Sequence, residues 1–147
     1  MQDQNERKNW LGLLAKADAE ALTKLWADLN LTPEYNWLRT PEIGSVMARG
    51  RAGATGAPFN LGEVTVTRCS LQLATGEVGH GYVQGRDKNK SQLAALCDAL
   101  LQSDMAAQIV REIIAPLTDL ANSKREQTMQ KAAKTKVDFF TLVRGED

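Results

Sequence analysis

The sequence predicts an α+β fold, in which helices flank an antiparallel β-sheet of three to four strands in a hairpin meander. Apolar residues recur with helical spacing towards both ends of the chain, whereas they alternate with polar residues in its middle. A glycine-containing turn separates two of the alternating segments, as is typical of a β-hairpin. Because helices and strands occur in separate blocks, the order favours α+β over α/β.

The chain is predicted to form one domain, 1–147. A chain of 147 residues buries roughly 70% of its unfolded surface, which is enough for a hydrophobic core. Its 18 basic and 18 acidic residues cancel, which argues against nucleic-acid binding because that binding depends on a basic field. No apolar run approaches the roughly 20 residues of a membrane span, and the polar N-terminus does not resemble a signal peptide. We therefore expect a cytoplasmic protein without a nucleic-acid or membrane partner.

The first part of the chain, residues 5–40, is predicted to be helical. Asp18 is the expected N-cap of the second helix, and Asn30 and Pro33 are expected to end it. The segment 35–39 is ambiguous, because Pro41 makes it hard to extend as a helix. The apolar faces of the two helices are Trp10, Leu13, Leu14 and Ala17, then Leu22, Leu25, Trp26 and Leu29.

The middle of the chain is predicted to contain the strands. Residues 44–51 fit a strand that glycines weaken, and residues 49–58 fit a flexible loop. Residues 63–73 alternate, but both faces carry apolar side chains, so the pattern leaves open which face is buried. A turn at 74–77 leads into the partner strand 78–83.

The last part of the chain is predicted to return to helices. Asp87 is the expected N-cap of the first of them, and Pro116 is expected to interrupt or restart a later one. Residues 117–136 are polar and helix-prone, and their last lysines suit a helix C-terminus. Residues 137–145 are apolar and β-prone. We expect them to form a strand that either joins the sheet or leaves the domain as an extended arm.

The cysteines and the histidine argue against a metal site. Cys69 alternates with apolar positions of a strand, and Cys97 lies in an apolar run of a helix. Both are expected to be buried hydrophobic residues rather than ligands or nucleophiles. His80 is the single histidine, so a zinc site built within this chain is not expected.

The junction 79–88, between a predicted strand and a predicted helix, concentrates charge. Free backbone amides at a helix start attract anions, but Asp87 would repel an anion at the same point. Gly85 and Asp87 therefore have the simpler interpretation of a turn and a cap, with Arg86 in an ion pair beside them. The residues that we keep as candidate contacts for an anionic substrate are Arg68, His80, Arg86 and Lys88.

Four short motifs occur in a specific order along the chain. They are Thr-Gly-x-x-Phe at 55–59, Thr-x-Thr-Arg at 65–68, Gly-Arg-Asp-Lys at 85–88 and Val-Asp-Phe-Phe-Thr-Leu-Val-Arg-Gly at 137–145. With these motifs the chain resembles the PhnG family, from Trp10 to Gly145. PhnG is the small subunit of the bacterial carbon–phosphorus lyase system, which degrades organic phosphonates.

The resemblance implies a role in a multi-subunit transferase, α-D-ribose 1-methylphosphonate 5-triphosphate synthase. That complex transfers an alkylphosphonate to the ribose of ATP or GTP and releases the base. The implied partners are the core subunits PhnI, PhnH and PhnJ, with the ATPase-like proteins PhnK and PhnL associating. The chain is expected to bind no cofactor itself, to be inactive alone, and to act as a scaffold or a co-catalytic subunit.

The apolar C-terminal segment, 137–147, is a candidate docking arm for another subunit; the alternative is a strand in the chain's own sheet. Two rival functions also stay open. One is an autonomous small enzyme that binds a nucleotide or a phosphonate, although the sequence lacks the Gly-x-x-x-x-Gly-Lys-Ser/Thr loop. The other is a nucleic-acid-binding regulator, which zero net charge disfavours. The interface candidates in the arm are Phe139, Phe140, Leu142 and Arg144.

Overall fold

A computed structural model describes residues 4–51, 56 and 58–144, and within these it leaves out the side chains of 51, 58, 60–61 and 138–144. The α+β prediction is confirmed. A three-stranded antiparallel sheet with strand order β1-β2-β3 packs against helices. The elements are α1 (Gln4–Lys16), α2 (Ala19–Leu29), β1 (Tyr35–Arg51), β2 (Pro58–Leu73), β3 (Val78–Gln84), α3 (Lys88–Leu101), α4 (Ala106–Ile109), a π-helical turn (Val110–Ile114) and α5 (Ala115–Arg144).

The two N-terminal helices follow the predicted pattern. Trp10 and Leu14 of α1 are buried, as expected for its apolar face. The Asp18 carboxylate accepts a hydrogen bond from the backbone N–H of Ala21 at 3.3 Å, so it caps α2 as predicted. Asn30 adopts a left-handed backbone with φ 53° and ends the helix.

The prediction of helix up to residue 40 is wrong at its end, because Tyr35 begins the 17-residue strand β1. The register with β2 leaves Leu38 without a partner and skips again between Arg39 and Glu42. These bulges accommodate Pro41, which lacks a backbone N–H and is tolerated in an edge strand. The predicted loop 49–58 is strand at both ends, and most of its middle lies outside the described residues.

Packing against α3 decides which face of β2 is buried. Thr67, Cys69, Leu71 and Leu73 are each at most 5% exposed and form one face. Arg68 lies on the opposite face and is exposed. The predicted turn at 74–77 is confirmed, since β2 ends at residue 73 and β3 begins at residue 78.

The helix α3 lies directly on β3 because two glycines allow a close approach. A Cβ atom added to Gly79 would lie 2.0 Å from the carbonyl oxygen of Ala95, and one added to Gly81 would lie 2.0 Å from that of Ser91. Ten residues of α3, from Ser91 to Leu101, are buried. The core of the domain is therefore centred on this helix.

The C-terminal helices form one continuous path, and Pro116 restarts the α-helical part of it. The backbone N–H of Ala115 donates to the carbonyl of Val110, a wider π-type turn just before the proline. The strand predicted for 137–145 is wrong over residues 137–144, which continue α5; Gly145 lies outside the described residues. The predicted helix end near Lys136 is wrong for the same reason. Propagating an existing helix adds one hydrogen bond per residue, which overrides weak β propensity.

Two regions extend away from the core. Strand β3 pairs with β2 only between Val66 and Gln72. Residues 45–51 of β1 and 58–65 of β2 thus pair as a two-stranded extension, and this extension together with residues 42–44 of β1 is here called the ribbon. The second region is α5 from Thr118 to Val137, where every residue is exposed. Within the described residues, no helix combines the length and apolar character of a membrane span.

Candidate functional site

A buried carboxylate joins three elements of the domain. Asp98 in α3 is 0% exposed and accepts the indole N–H of Trp10 at 2.8 Å. The guanidinium of Arg7 donates to both of its oxygens, at 3.2 and 3.0 Å. The backbone N–H of His80 in β3 donates to Oδ2 at 2.8 Å. The carboxylate therefore binds α1 and β3 to α3 through four donors.

This arrangement satisfies the condition for burying a charge, which is an ionic partner together with further hydrogen bonds. The hydrogen bond to Asp98 raises the pKa of Arg7 above its usual value, against the effect of partial burial. β3 is an edge strand of the described sheet, so some of its backbone N–H groups have no neighbouring strand to bind. The N–H of His80 donates to Asp98 instead. We call the group of Arg7, Trp10, His80 and Asp98 the Asp98 cluster.

Sequence reasoning missed this cluster. Asp98 lies inside the apolar run that identifies α3, and the run predicts a buried helix face without indicating a charged site in it. One feature of the sequence could have indicated the cluster. Asp98 is an isolated carboxylate on the apolar face of a helix, and a buried carboxylate requires a partner. Arg7 and Trp10 stand three residues apart in α1 and share a face, but nothing local in the sequence assigns them to Asp98.

A shallow cleft of about 420 Å³ opens beside the cluster, between α1 and β3. It is lined by one face of α1 and by His80. Arg7 and Lys8 bring positive charge to it, and the charge of Arg7 is balanced by Asp98. The full lining is Gln4, Arg7, Lys8, Leu11 and His80.

A second surface cavity, of about 310 Å³, lies near the 74–77 turn. It has an apolar floor that includes Leu73 and Leu100, and its rim carries carboxylates. A hydrogen bond from Thr75 lowers the pKa of the Glu77 carboxyl. Three carboxylates, Glu34, Glu77 and Asp104, make this cavity unsuited to a phosphonate or a triphosphate, because like charges repel.

Two of the four predicted anion contacts lie on one face of the sheet. His80 is exposed on the face turned away from α3, and its Nδ1 is hydrogen-bonded to Ser70 Oγ at 2.8 Å. Arg68 pairs in register with Tyr82, while Ser70 pairs with His80. Arg68 and His80 are thus diagonal neighbours across two strands. The carboxylate-bearing residue that pairs in register with Arg68 is Glu42 of β1.

The other two predicted contacts lie at the entrance of α3. Arg86 and Lys88 are both exposed. Asp87 accepts the backbone N–H of Lys90 at 2.9 Å, which confirms it as the cap, and Gly85 has φ 93°, which confirms the turn. The ion pairs of the described residues include Arg7–Asp98 and Arg111–Glu112. Arg86 and Asp87 are both described and form no such pair, so the prediction of an ion pair beside the cap is wrong.

The arrangement does not gather the predicted contacts into one enclosed site. Of the four, His80 lines the cleft beside the Asp98 cluster, and the other three line neither cavity. The described part of the chain also contains no group of three or more metal-ligating side chains. The interface candidates Phe139, Phe140, Leu142 and Arg144 belong to α5 by their backbone, and their side chains lie outside the described residues.

Both cysteines are buried, as predicted. Desolvation raises the pKa of Cys97 to about 12. It also raises the pKa of Cys69, which exchanges hydrogen bonds with Ser91. A thiol held protonated in this way is a poor nucleophile.

Comparison with known proteins identifies the family. The sequence model of the family described as phosphonate metabolism protein PhnG matches residues 5–145. The chain belongs to the PhnG family. A relative from Rhizobium meliloti (strain 1021) is 42% identical over 142 residues, which cover 97% of this chain and 91% of the relative. That PhnG protein is named alpha-D-ribose 1-methylphosphonate 5-triphosphate synthase subunit PhnG.

Proposed function

We propose that this chain is the PhnG subunit of an α-D-ribose 1-methylphosphonate 5-triphosphate synthase and works in phosphonate catabolism in the cytoplasm. One observation carries the proposal: a protein named as this subunit shares 42% identity across 97% of the chain. The aligned region leaves only a few residues of this chain unmatched. It includes both the core helices and the exposed regions.

The reaction sets demands that this chain meets only in part. A phosphonate oxygen attacks the anomeric carbon of ATP or GTP, and the carbon–nitrogen bond to the base breaks as the carbon–oxygen bond forms. The triphosphate requires several cations, and the departing base requires a proton donor. Arg68, Arg86 and Lys88 are exposed and line neither cavity. We therefore propose that the chain acts as a scaffold or completes a site on another subunit, and that it is inactive alone.

The partners that we propose are PhnI, PhnH and PhnJ, with PhnK and PhnL associating. Large exposed apolar side chains support an assembled state. On the ribbon these are Ile43, Met47 and Phe59, at 42%, 51% and 46% exposure. On α5 they include Leu120, Met129 and Val137, at 52%, 65% and 63% exposure.

The C-terminal arm is proposed to dock as a helix. Met129, Ala133 and Val137 follow one another at four-residue intervals, so they share a face of α5. An amphipathic helix commonly binds in an apolar groove of its partner. The interface candidates Phe139, Phe140, Leu142 and Arg144 continue this helix.

Co-expression tests the proposal. The chain is expressed with the other synthase subunits, and release of the base from ATP or GTP is measured with methylphosphonate present. We expect the chain to co-purify and base release to require it. A version that ends before Val137 is expected to keep its thermal unfolding temperature and lose association. A full-length chain that stays unassociated would overturn the proposal, and base release by the isolated chain would favour the autonomous enzyme.

A second set of variants tests the individual residues within the complex. Arg68→Ala, His80→Ala and Arg86→Ala each remove an exposed side chain, so none is expected to disturb the core. If one of them contacts substrate, base release falls while co-purification is unchanged. If all three complexes turn over at the wild-type rate, none of these three residues contacts substrate, and the scaffold role is favoured over the co-catalytic one.

A further inference from the structure

The outer edge of β1 along the ribbon is an open and regular backbone edge. β1 has β2 on one side and no strand on the other in the described sheet. From Glu42 to Arg51 its register with β2 contains no extra residue in β1; the irregularity beside Ala48 is an extra residue, Leu61, in β2. Ten residues of strand extend over about 33 Å. Alternate residues of this edge direct their N–H and C=O groups outward.

Features that usually prevent an edge strand from pairing with another chain are concentrated in the first half of β1, before Glu42. Natural edges are blocked by prolines, bulges and charged side chains that prevent pairing with another chain. The first half of β1 has Pro41 and two bulges. Residues 43–48 contain no proline and no charged residue. Instead, Ile43 and Met47 expose 42% and 51% of their surface beside the open edge.

The charge of the ribbon changes along its length. Glu42 stands at the end near the core, and Arg49 is exposed near the tip. Residues 49–62 contain two arginines and no acidic residue. A segment that pairs with this edge would therefore be apolar along Ile43–Met47 and acidic where it passes Arg49.

A second copy of this chain fits the edge less well than a different chain. In an antiparallel pairing of residues 43–51 with those of a second copy, Arg49 and Arg51 lie opposite Ser45 and Ile43 rather than carboxylates. A register shifted to bring Arg49 to Glu42 extends the pairing to Pro41. Pro41 has no N–H, and the bulge before Glu42 breaks the regular spacing there. A segment from another chain avoids this obstacle by running from Ile43 towards the tip.

We propose that an extended segment of another synthase subunit adds to the edge of β1 between Ile43 and Arg51 as a fourth strand of the sheet. This inference rests on the proposed function. The main-chain hydrogen bonds of the added strand supply affinity, as in other cases of strand addition. Specificity comes from alternating apolar residues against Ile43 and Met47 and from a carboxylate against Arg49.

Residue-resolved amide hydrogen exchange tests the proposal directly, with the isolated chain compared with the co-purified complex. In the isolated chain, alternate amides of 43–51 exchange rapidly because they face solvent. In the complex the same amides are expected to slow by roughly tenfold or more, while the amides of α3 are slow in both samples. A complex in which the edge amides stay fast overturns strand addition and leaves the proposed function intact. An isolated chain that is dimeric and already protected at this edge overturns the choice of partner.

Two adjacent proline variants provide the matched control. The N–H groups of Ser45 and Val46 point to opposite sides of β1, one towards β2 and one outward. Of Ser45→Pro and Val46→Pro, the variant at the outward position is expected to keep the unfolding temperature of the isolated chain and lose at least about tenfold in affinity for the partner. Wild-type affinity in that variant contradicts the proposal.

Charge variants of Arg49, near the tip of the ribbon, test whether the partner places a carboxylate there. Arg49→Glu is expected to weaken the complex, whereas Arg49→Lys retains the charge and serves as its control. Equal affinity of the two variants would exclude a carboxylate of the partner beside Arg49. A wild-type chain that co-purifies with no synthase subunit is a different result, because it overturns the proposed function as well.

Discussion

Asp98 shows how one residue holds separate elements together. Its carboxylate is the shared acceptor for Arg7, Trp10 and the backbone of His80. The four bonds join α1 and the edge strand β3 to the central helix. The cluster therefore determines where the exposed face of β3, with the His80 ring, stands relative to α1.

Removing this carboxylate is expected to destabilise the domain strongly. Asp98→Ala leaves a guanidinium and two N–H donors without their acceptor, and because the Arg7 side chain is 35% exposed and can be hydrated, we expect a loss of about 3 kcal/mol, at the lower end of the range for a buried pair. Urea unfolding of the isolated chain measures the loss. Glu112→Ala is the control, because the Arg111–Glu112 pair is 71% and 48% exposed and such pairs contribute at most about 1 kcal/mol. Equal losses in the two variants would show that the cluster does not stabilise the fold.

Cys97 is expected to make the free energy of unfolding depend on pH in the alkaline range. Burial raises its pKa to about 12, whereas a thiol in an unfolded chain titrates near about 8.5. Between these values the folded state keeps a proton that the unfolded state has lost. The free energy of unfolding is therefore expected to be unaffected by this thiol below about pH 8.5 and to fall above it by about 1.4 kcal/mol per pH unit.

The Cys97→Ala variant isolates this effect. Its smaller side chain lowers stability at every pH, so the comparison uses the slope of the free energy of unfolding between about pH 8.5 and 10. The slope is expected to be shallower than that of the wild type. Part of it remains, because burial also raises the pKa of Cys69. Identical slopes would contradict the assignment of the effect to Cys97.

The packing of α3 on β3 is the contact between elements that depends most on glycine. Gly79 and Gly81 stand under backbone carbonyls of α3, so any side chain there separates the helix from the sheet. In contrast, a Cβ on Gly12 of α1 would meet no atom within 4 Å. The same residue type thus has different roles in two elements.

Alanine substitutions separate these roles. Gly79→Ala is expected to cost about 3 kcal/mol or more, because overpacking displaces backbone rather than a mobile side chain. Gly12→Ala is expected to stabilise the domain by about 0.5–1 kcal/mol, because alanine is the better helix former. Thermal and urea unfolding of the two variants measure both changes. A tolerated Gly79→Ala would mean that α3 and β3 are less closely packed than described.

At the scale of the whole molecule, the chain combines a stable core with two exposed regions. The core is formed by α1 to α3, the sheet near β3 and the first part of the C-terminal helices. The ribbon and α5 beyond Leu117 contribute little to it. This division suits a subunit that folds alone and presents long surfaces to partners.

Truncation tests this division. A chain that ends after Ala121 keeps Leu117, which is 3% exposed and part of the core, and loses the exposed part of α5. We expect its thermal unfolding temperature to match that of the full chain, since the removed residues that the structure describes are exposed. Circular dichroism follows the transition. A marked decrease in the unfolding temperature would show that α5 stabilises the core.

Features that depend on local pattern could be predicted from the amino-acid sequence. The sequence predicted the α+β class, the caps at Asp18 and Asp87, the 74–77 turn and the burial of both cysteines. Helical spacing, capping residues and turn residues act over a few positions, so they can be read without the fold. The order of its motifs also indicated the PhnG family.

Features that depend on contacts between distant residues follow from the folded structure. The carboxylate of Asp98 has its partners at residues 7, 10 and 80, and no local rule connects them. The sequence pattern of β2 does not show which of its faces is buried, and packing against α3 determines it. The β-prone residues 137–144 became helix because they extend one that already existed. The open edge of β1 follows from the strand order β1-β2-β3, since an edge exists only when strands are arranged in a sheet.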